Sequence, residues 1–134
     1  MNPNTAIKIM LCLLVSVMLF HLSIMLKIIP YEITWGGRLK NDTEMYVFET
    51  ISMLINLLLF SILLIKGEYI KKFISLKLVN IILWIFLILF GLNTLGNILA
   101  ETIFEKFFTL LTFASVILIW IILNKDKKRT HSKV

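Results

Sequence analysis

Cysteine is almost missing from this chain: Cys12 is the only one in 134 residues. An intramolecular disulfide, a C-x-x-C redox pair and a cysteine zinc cluster are all excluded. Four-span thiol oxidoreductases that pass electrons to quinones go with them, because that chemistry needs a cysteine pair. Histidine is scarce as well, with two residues, one of them in the C-terminal tail. The usual hydrolase dyads therefore lack parts, and no G-x-S-x-G, H-E-x-x-H, P-loop or dinucleotide fingerprint occurs. No catalytic residue, metal site or cofactor is assigned on the sequence.

Charge is thin too, at 16% of residues against 59% hydrophobic, and the mean hydropathy is +0.93. Such a balance lies far from that of a soluble domain. Four apolar runs can be read: Ile9 to Ile29, Tyr46 to Ile65, Phe73 to Asn93 and Ile103 to Leu123. Each approaches the ~20 residues that a helix needs to cross ~30 Å of hydrocarbon. None alternates with period two, which argues against a β-barrel. The first run exceeds the apolar core of a signal peptide and no small-x-small site follows it, so it is read as a retained span. The predicted fold is all-α, a transmembrane four-helix up-down-up-down bundle forming one membrane domain.

The net charge is +6, and its distribution orients the bundle. Ten basic residues (Lys8, Lys66, Lys71, Lys72, Lys77, Lys125, Lys127, Lys128, Arg129 and Lys133) fall on one side, with Glu68 and Asp126. Lys27, Arg38, Lys40 and Lys106 fall on the other, with six acids. The positive-inside rule then predicts both termini in the cytoplasm, the 30–45 segment outside and residues 124–134 as a cytoplasmic basic tail. That tail, "NKDKKRTHSKV", carries no interleaved aromatics, so it reads as an orientation signal and no nucleic-acid partner is expected. The expected location is a bacterial inner membrane, with the lipid bilayer as the first partner.

Pro30 is expected to end the first helix, and Tyr31 and Trp35 suit a headgroup boundary. Gly36 and Gly37 permit a tight reversal. Asn41 with Glu44, and Thr102 with Glu105, stand in capping-box relation, while Asn93 and Gly96 in "NTLGN" are expected to stop the third helix.

Polar side chains inside spans are costly, so they are the best functional clues. Glu49, Ser52 and Asn56 share one stripe of the second helix. His21 lies ~12 Å inside the outer end of the first helix and Glu49 ~5 Å inside the second, on the helix rise. A hydrogen bond from His21 to Asn56 or Glu49 would join the two helices. Met18 and Met25 share His21's face, but a Cu(I) site would need a further ligand, and core filling is the plainer role. Trp84 is placed mid-membrane, with Asn80 one turn away as a partner for its indole N–H. Thr109, Thr112 and Ser115 form a small-residue strip on the fourth helix, suited to close packing or to a homodimer. Glu101 and Glu105 read as a solvated helix start.

At "PYEITWGGRL", followed by "EMYVFE", the chain resembles a group of small bacterial four-span membrane proteins that carry no assigned activity. The resemblance covers essentially the whole chain and implies that the outer loop and the start of the second helix belong together. In size and span count it is also similar to DoxX-type proteins and to the sterol-isomerase and sigma-2-receptor group, with no motif to carry over. The resemblance to small multidrug exporters fails, because the first helix here carries no carboxylate.

Two functions follow as expectations. The first is a binding or accessory module whose outer half takes a lipid-like small molecule or a partner membrane helix, with His21, Trp35, Arg38, Glu49, Ser52, Asn56 and Trp84 as candidate ligand-binding residues. The second is a small membrane enzyme or proton-coupled carrier that uses Glu49 and His21 as a proton-exchanging pair.

Overall fold

The computed structural model describes residues 1–100 and 103–131, with side chains up to residue 124. The sequence readings on Glu101, Thr102 and the side chains of the basic tail lie outside the described residues. Among the described residues the chain forms four helices, α1 (Pro3–Met25), α2 (Asp42–Lys66), α3 (Leu76–Ile98) and α4 (Ile103–His131), with no strand. Two short 3-10 turns, Tyr31–Ile33 and Trp35–Gly37, stand between α1 and α2. The four apolar segments are 22–25 residues long, enough to span a bilayer. This is the all-α four-helix transmembrane bundle that the apolar runs predict.

Helix limits differ from the sequence reading in instructive ways. The α1 helix starts early, at Pro3, where a proline needs no N–H partner and Asn2 caps the amide of Asn4. It stops at Met25, well before Pro30. Lys27 takes a left-handed φ of 58°, its N–H reaches Ile24 O at 2.8 Å, and the Ile28 N–H reaches Ser23 O at 2.9 Å. That is a Schellman ending with lysine where glycine usually sits. The α2 helix ends the same way on Glu68 (φ 64°), one residue after Gly67. Gly67 serves packing instead: a Cβ there would lie 2.6 Å from the Tyr69 ring.

The α3 helix runs past Asn93 and Gly96 to Ile98. In hydrocarbon, unpaired backbone costs more than the weak helix propensity of one glycine, so the helix persists. At the start of α2, Asn41 accepts the Glu44 N–H at 2.9 Å, while Glu44 Oε2 accepts the Lys40 N–H at 2.8 Å. The predicted capping box forms, its return bond displaced by one residue.

The helices pack in the ring α1, α2, α3, α4, each against two neighbours, with α3 and α4 most closely joined. Let the end carrying residues 26–41 be the loop end, and the opposite end the tail end. The main core lies toward the tail end, where Ala6, Ile7, Met10 and Leu14 meet Leu59, Leu63, Leu83, Ile119 and Ile122. A smaller cluster of Ile24, Leu39 and Met45 closes the loop end, with Phe20 and Tyr31 packed on it. Only 22–28% of each apolar segment is buried within the chain. Most of the surface faces acyl tails, where apolar contact between helices gains little over contact with lipid, so polar bonds and close fit carry specificity. One such bond joins α3 to α4, from Thr94 Oγ1 to Thr112 Oγ1 at 2.9 Å. Thr112 and Ser115 are buried, so this part of the small-residue strip packs inside the chain.

Candidate functional site

The site builds outward from Glu49. Its position on the third turn of α2 turns it into the bundle, where the residue is 0% exposed. A carboxylate in that setting needs donors for its oxygens. One comes from α1: His21 Nδ1 lies 2.6 Å from Glu49 Oε2. Two lone pairs at that distance would repel, so a proton lies between them, held by the imidazole or by the carboxyl according to the tautomer. The second donor comes from the loop, as Trp35 Nε1 donates to Glu49 Oε1 at 2.8 Å. One side chain thus ties together α1, α2 and the connecting loop.

The loop is shaped for this bond. Trp35, Gly36 and Gly37 take successive φ values of 54°, 67° and 66°, all left-handed. The two glycines accept that region freely, whereas Trp35 bears a conformational cost that its contacts must offset. Those contacts are the indole bond to Glu49 and an edge-to-face packing on Phe48, with ring centroids 5.1 Å apart. Thr34, also buried, closes the preceding turn by donating to Tyr31 O at 2.7 Å. At the rim of the loop end Lys27 donates to Asp42, and that hydrogen bond raises the Lys27 ammonium above the ordinary 10.5.

Of the candidate residues, three converge: His21, Trp35 and Glu49. Ser52 and Asn56 continue the stripe along α2, but the Asn56 amide donates to its own helix, at Ser52 O, 2.8 Å away. His21 therefore bridges to Glu49 and not to Asn56. Arg38 is exposed at the end of the second 3-10 turn. Trp84 lies elsewhere: it is half-exposed on α3 and meets Trp120 of α4 edge to face, with centroids 5.7 Å apart. Asn80, the expected partner of Trp84, instead accepts a hydrogen bond from Lys66 Nζ at 2.7 Å. Lys66, counted from the sequence among the basic residues on the side of the termini, is only 4% exposed.

Sequence reasoning missed the apolar feature beside the triad. A cleft of about 320 Å³ lies between α1 and α4, lined by Leu13, Val17 and Phe20 on one side and Phe104, Phe108 and Leu111 on the other. Its volume falls in the range of small-molecule sites. Phe20 borders both the cleft and the polar cluster, since its ring packs on His21 at 5.9 Å and on Phe108 at 5.2 Å. The signal was present in "FEKFF", whose phenylalanines at 104 and 108 fall one helical turn apart. As metal donors His21 and Glu49 would be two, and no group of three His, Cys, Asp or Glu gathers among the described residues.

Chemically, the arrangement offers a buried proton-holding pair whose acceptor oxygens are both engaged, next to an apolar groove open to lipid. No family model matches the chain, and neither curated proteins nor solved structures provide a match. Its own geometry therefore supplies the functional argument. With four helices long and apolar enough to cross a bilayer, it is a small multi-pass integral membrane protein.

Proposed function

We propose that this protein is a binding module whose loop-end half receives an acyl chain of a lipid-like ligand in the cleft between α1 and α4. The observation that carries the reading is the cleft itself, walled by Phe20, Phe104, Phe107 and Phe108 and sited in the half of the bundle that the main core leaves free. A chain lying there would touch aromatic faces along its length while its polar end reached the loop. Both oxygens of Glu49 are already engaged by His21 and Trp35, so Glu49 fastens the wall of the site and leaves the ligand to the aromatic residues. On the charge asymmetry of the sequence, the loop end faces outward.

Photocrosslinking tests this. The chain is placed in membranes containing a phospholipid with a diazirine on its acyl chain, and labelled peptides are mapped. Labelling is expected to concentrate on the cleft walls, around Val17 and Leu111, well above the half-exposed Ile85 and Leu89 of α3. It should shift away in Leu111→Trp, which fills the groove. Even labelling around the bundle would remove the reading.

A second reading is favoured by one observation, the 2.6 Å contact between His21 and a fully buried Glu49. Such a pair could exchange protons for a small carrier. Proteoliposomes carrying an internal pH dye would then show proton flux that Glu49→Gln abolishes, and equal flux in both proteins would eliminate it.

A further inference from the structure

We propose that the turn joining α2 to α3 is a docking surface for anionic phospholipids, with Lys71 and Lys77 facing the phosphates and Tyr69, Ile70 and Phe73 anchoring the turn in the leaflet. It lies at the tail end, away from the α1–α4 cleft, and stands or falls independently of it. The turn is ordered at both ends. Where the chain leaves α2, the Glu68 and Tyr69 amides donate to Ile65 O and Leu64 O at 3.1 and 2.9 Å, and Glu68 takes its left-handed φ of 64°. Where it enters α3, Ser75 accepts the Leu78 N–H at 3.2 Å. Between these fixed points residues 68–73 are all exposed, Tyr69 at 49% and Phe73 at 74%.

The bare rings place the turn. Left in water they would be costly, whereas at a bilayer boundary they sit among headgroups and the first acyl carbons. Charge then selects the lipid. Residues 66–80 hold four lysines and a single acid, Glu68. Lys72 donates to that acid at 2.8 Å, and Lys66 is turned inward onto Asn80. Lys71 and Lys77 are exposed and make no ion pair among the described residues. Two uncompensated ammonium groups beside membrane-seated rings attract the phosphate of a lipid with net negative charge, while a zwitterionic headgroup carries its own cation and gains less. A soluble acidic partner would answer the charges alone, whereas the rings need acyl chains, which a lipid brings in the same molecule.

The experiment uses the full chain with a bimane fluorophore on Ile70→Cys in a Cys12→Ser background, reconstituted in phosphatidylethanolamine vesicles. A small fraction of either phosphatidylglycerol or phosphatidylethanolamine carries an acyl-chain nitroxide next to the headgroup, and quenching by the two is compared. Labelled phosphatidylglycerol is expected at a local concentration about five times that of labelled phosphatidylethanolamine, the scale set by a lysine near an anionic surface. The double variant Lys71→Gln/Lys77→Gln should lose most of this excess, as should the parent chain in high salt. Its quenching by labelled phosphatidylethanolamine should stay unchanged, which reports a folded chain with the turn at the same depth. Neutralising the tail by Lys127→Gln, Lys128→Gln and Arg129→Gln should leave the excess in place. Equal quenching by the two lipids in the parent chain would overturn the proposal, as would an excess that survives the double variant and vanishes with the tail charges. Quenching by neither lipid would put the turn away from the bilayer and overturn it as well.

Discussion

Trp35 donates its indole N–H to Glu49 at 2.8 Å from a backbone of φ 54°, so a side chain in a costly conformation holds the loop onto a buried carboxylate. Removing either partner should loosen the loop end without dissolving the bundle, because the main core lies toward the other end. Trp35→Phe is expected to cost about 0.5–1 kcal/mol, the usual worth of one hydrogen bond in a membrane protein. Glu49→Ala, which strips the acceptor from both His21 and Trp35, should cost about 1–2 kcal/mol. Steric-trapping measurements of unfolding in bicelles would read both, and equal losses would deny that Glu49 serves two donors.

His21 and Glu49 should be energetically coupled. A double-mutant cycle with His21→Ala and Glu49→Ala is expected to give an interaction energy of about 0.5–2 kcal/mol. Additive losses would show that the 2.6 Å contact contributes nothing of its own.

Two threonines one turn apart on α4 should respond in opposite ways. Thr112 shares a hydrogen bond with Thr94 across the α3–α4 contact, whereas the Thr109 hydroxyl is buried without a partner among the described residues. Thr112→Val is expected to destabilise by about 0.5–1.5 kcal/mol and Thr109→Val to be neutral or slightly stabilising. The comparison is made by thermal unfolding in one detergent, and a larger loss at Thr109 would contradict the assignment.

The rim pair of Lys27 and Asp42 carries a pH signature. Because Asp42 raises the lysine above 10.5 in the folded chain, the stabilisation is fully present below that value and fades as pH rises through the higher folded one. Unfolding measured from pH 9 upward should therefore show a loss of stability in wild type that is smaller in Asp42→Asn. Identical alkaline profiles would mean that the pair is not formed.

Much of this architecture was legible beforehand, and the reasons are physical. Apolar runs of span length leave the chain few options in hydrocarbon, so helix number and type follow from composition. The contact from His21 to α2 was legible as a choice between Glu49 and Asn56, whose depths bracket that of the histidine; the structure selects Glu49, because the Asn56 amide turns back onto its own helix. Helix ends were less so: Lys27 and Glu68 adopt left-handed conformations without a glycine to announce them, and Gly96 is overridden by the backbone's need for hydrogen bonds. Lys66 counted only toward the charge asymmetry of the sequence, and its burial beside Asn80 of the next helix is a contact that no local pattern encodes. The cleft depends on how α1 and α4 splay, which is a tertiary property.

All of these statements require four crossings, with the 26–41 loop on one face of the membrane and the 67–75 turn on the other. Impermeant maleimide labelling of single cysteines, placed in a Cys12→Ser background in intact cells, measures that directly. Arg38→Cys and Leu99→Cys should label from outside, while Asn4→Cys and Tyr69→Cys should label only after the membrane is opened. Labelling of Asn4→Cys and Arg38→Cys from the same side would contradict the four-span bundle and everything built on it.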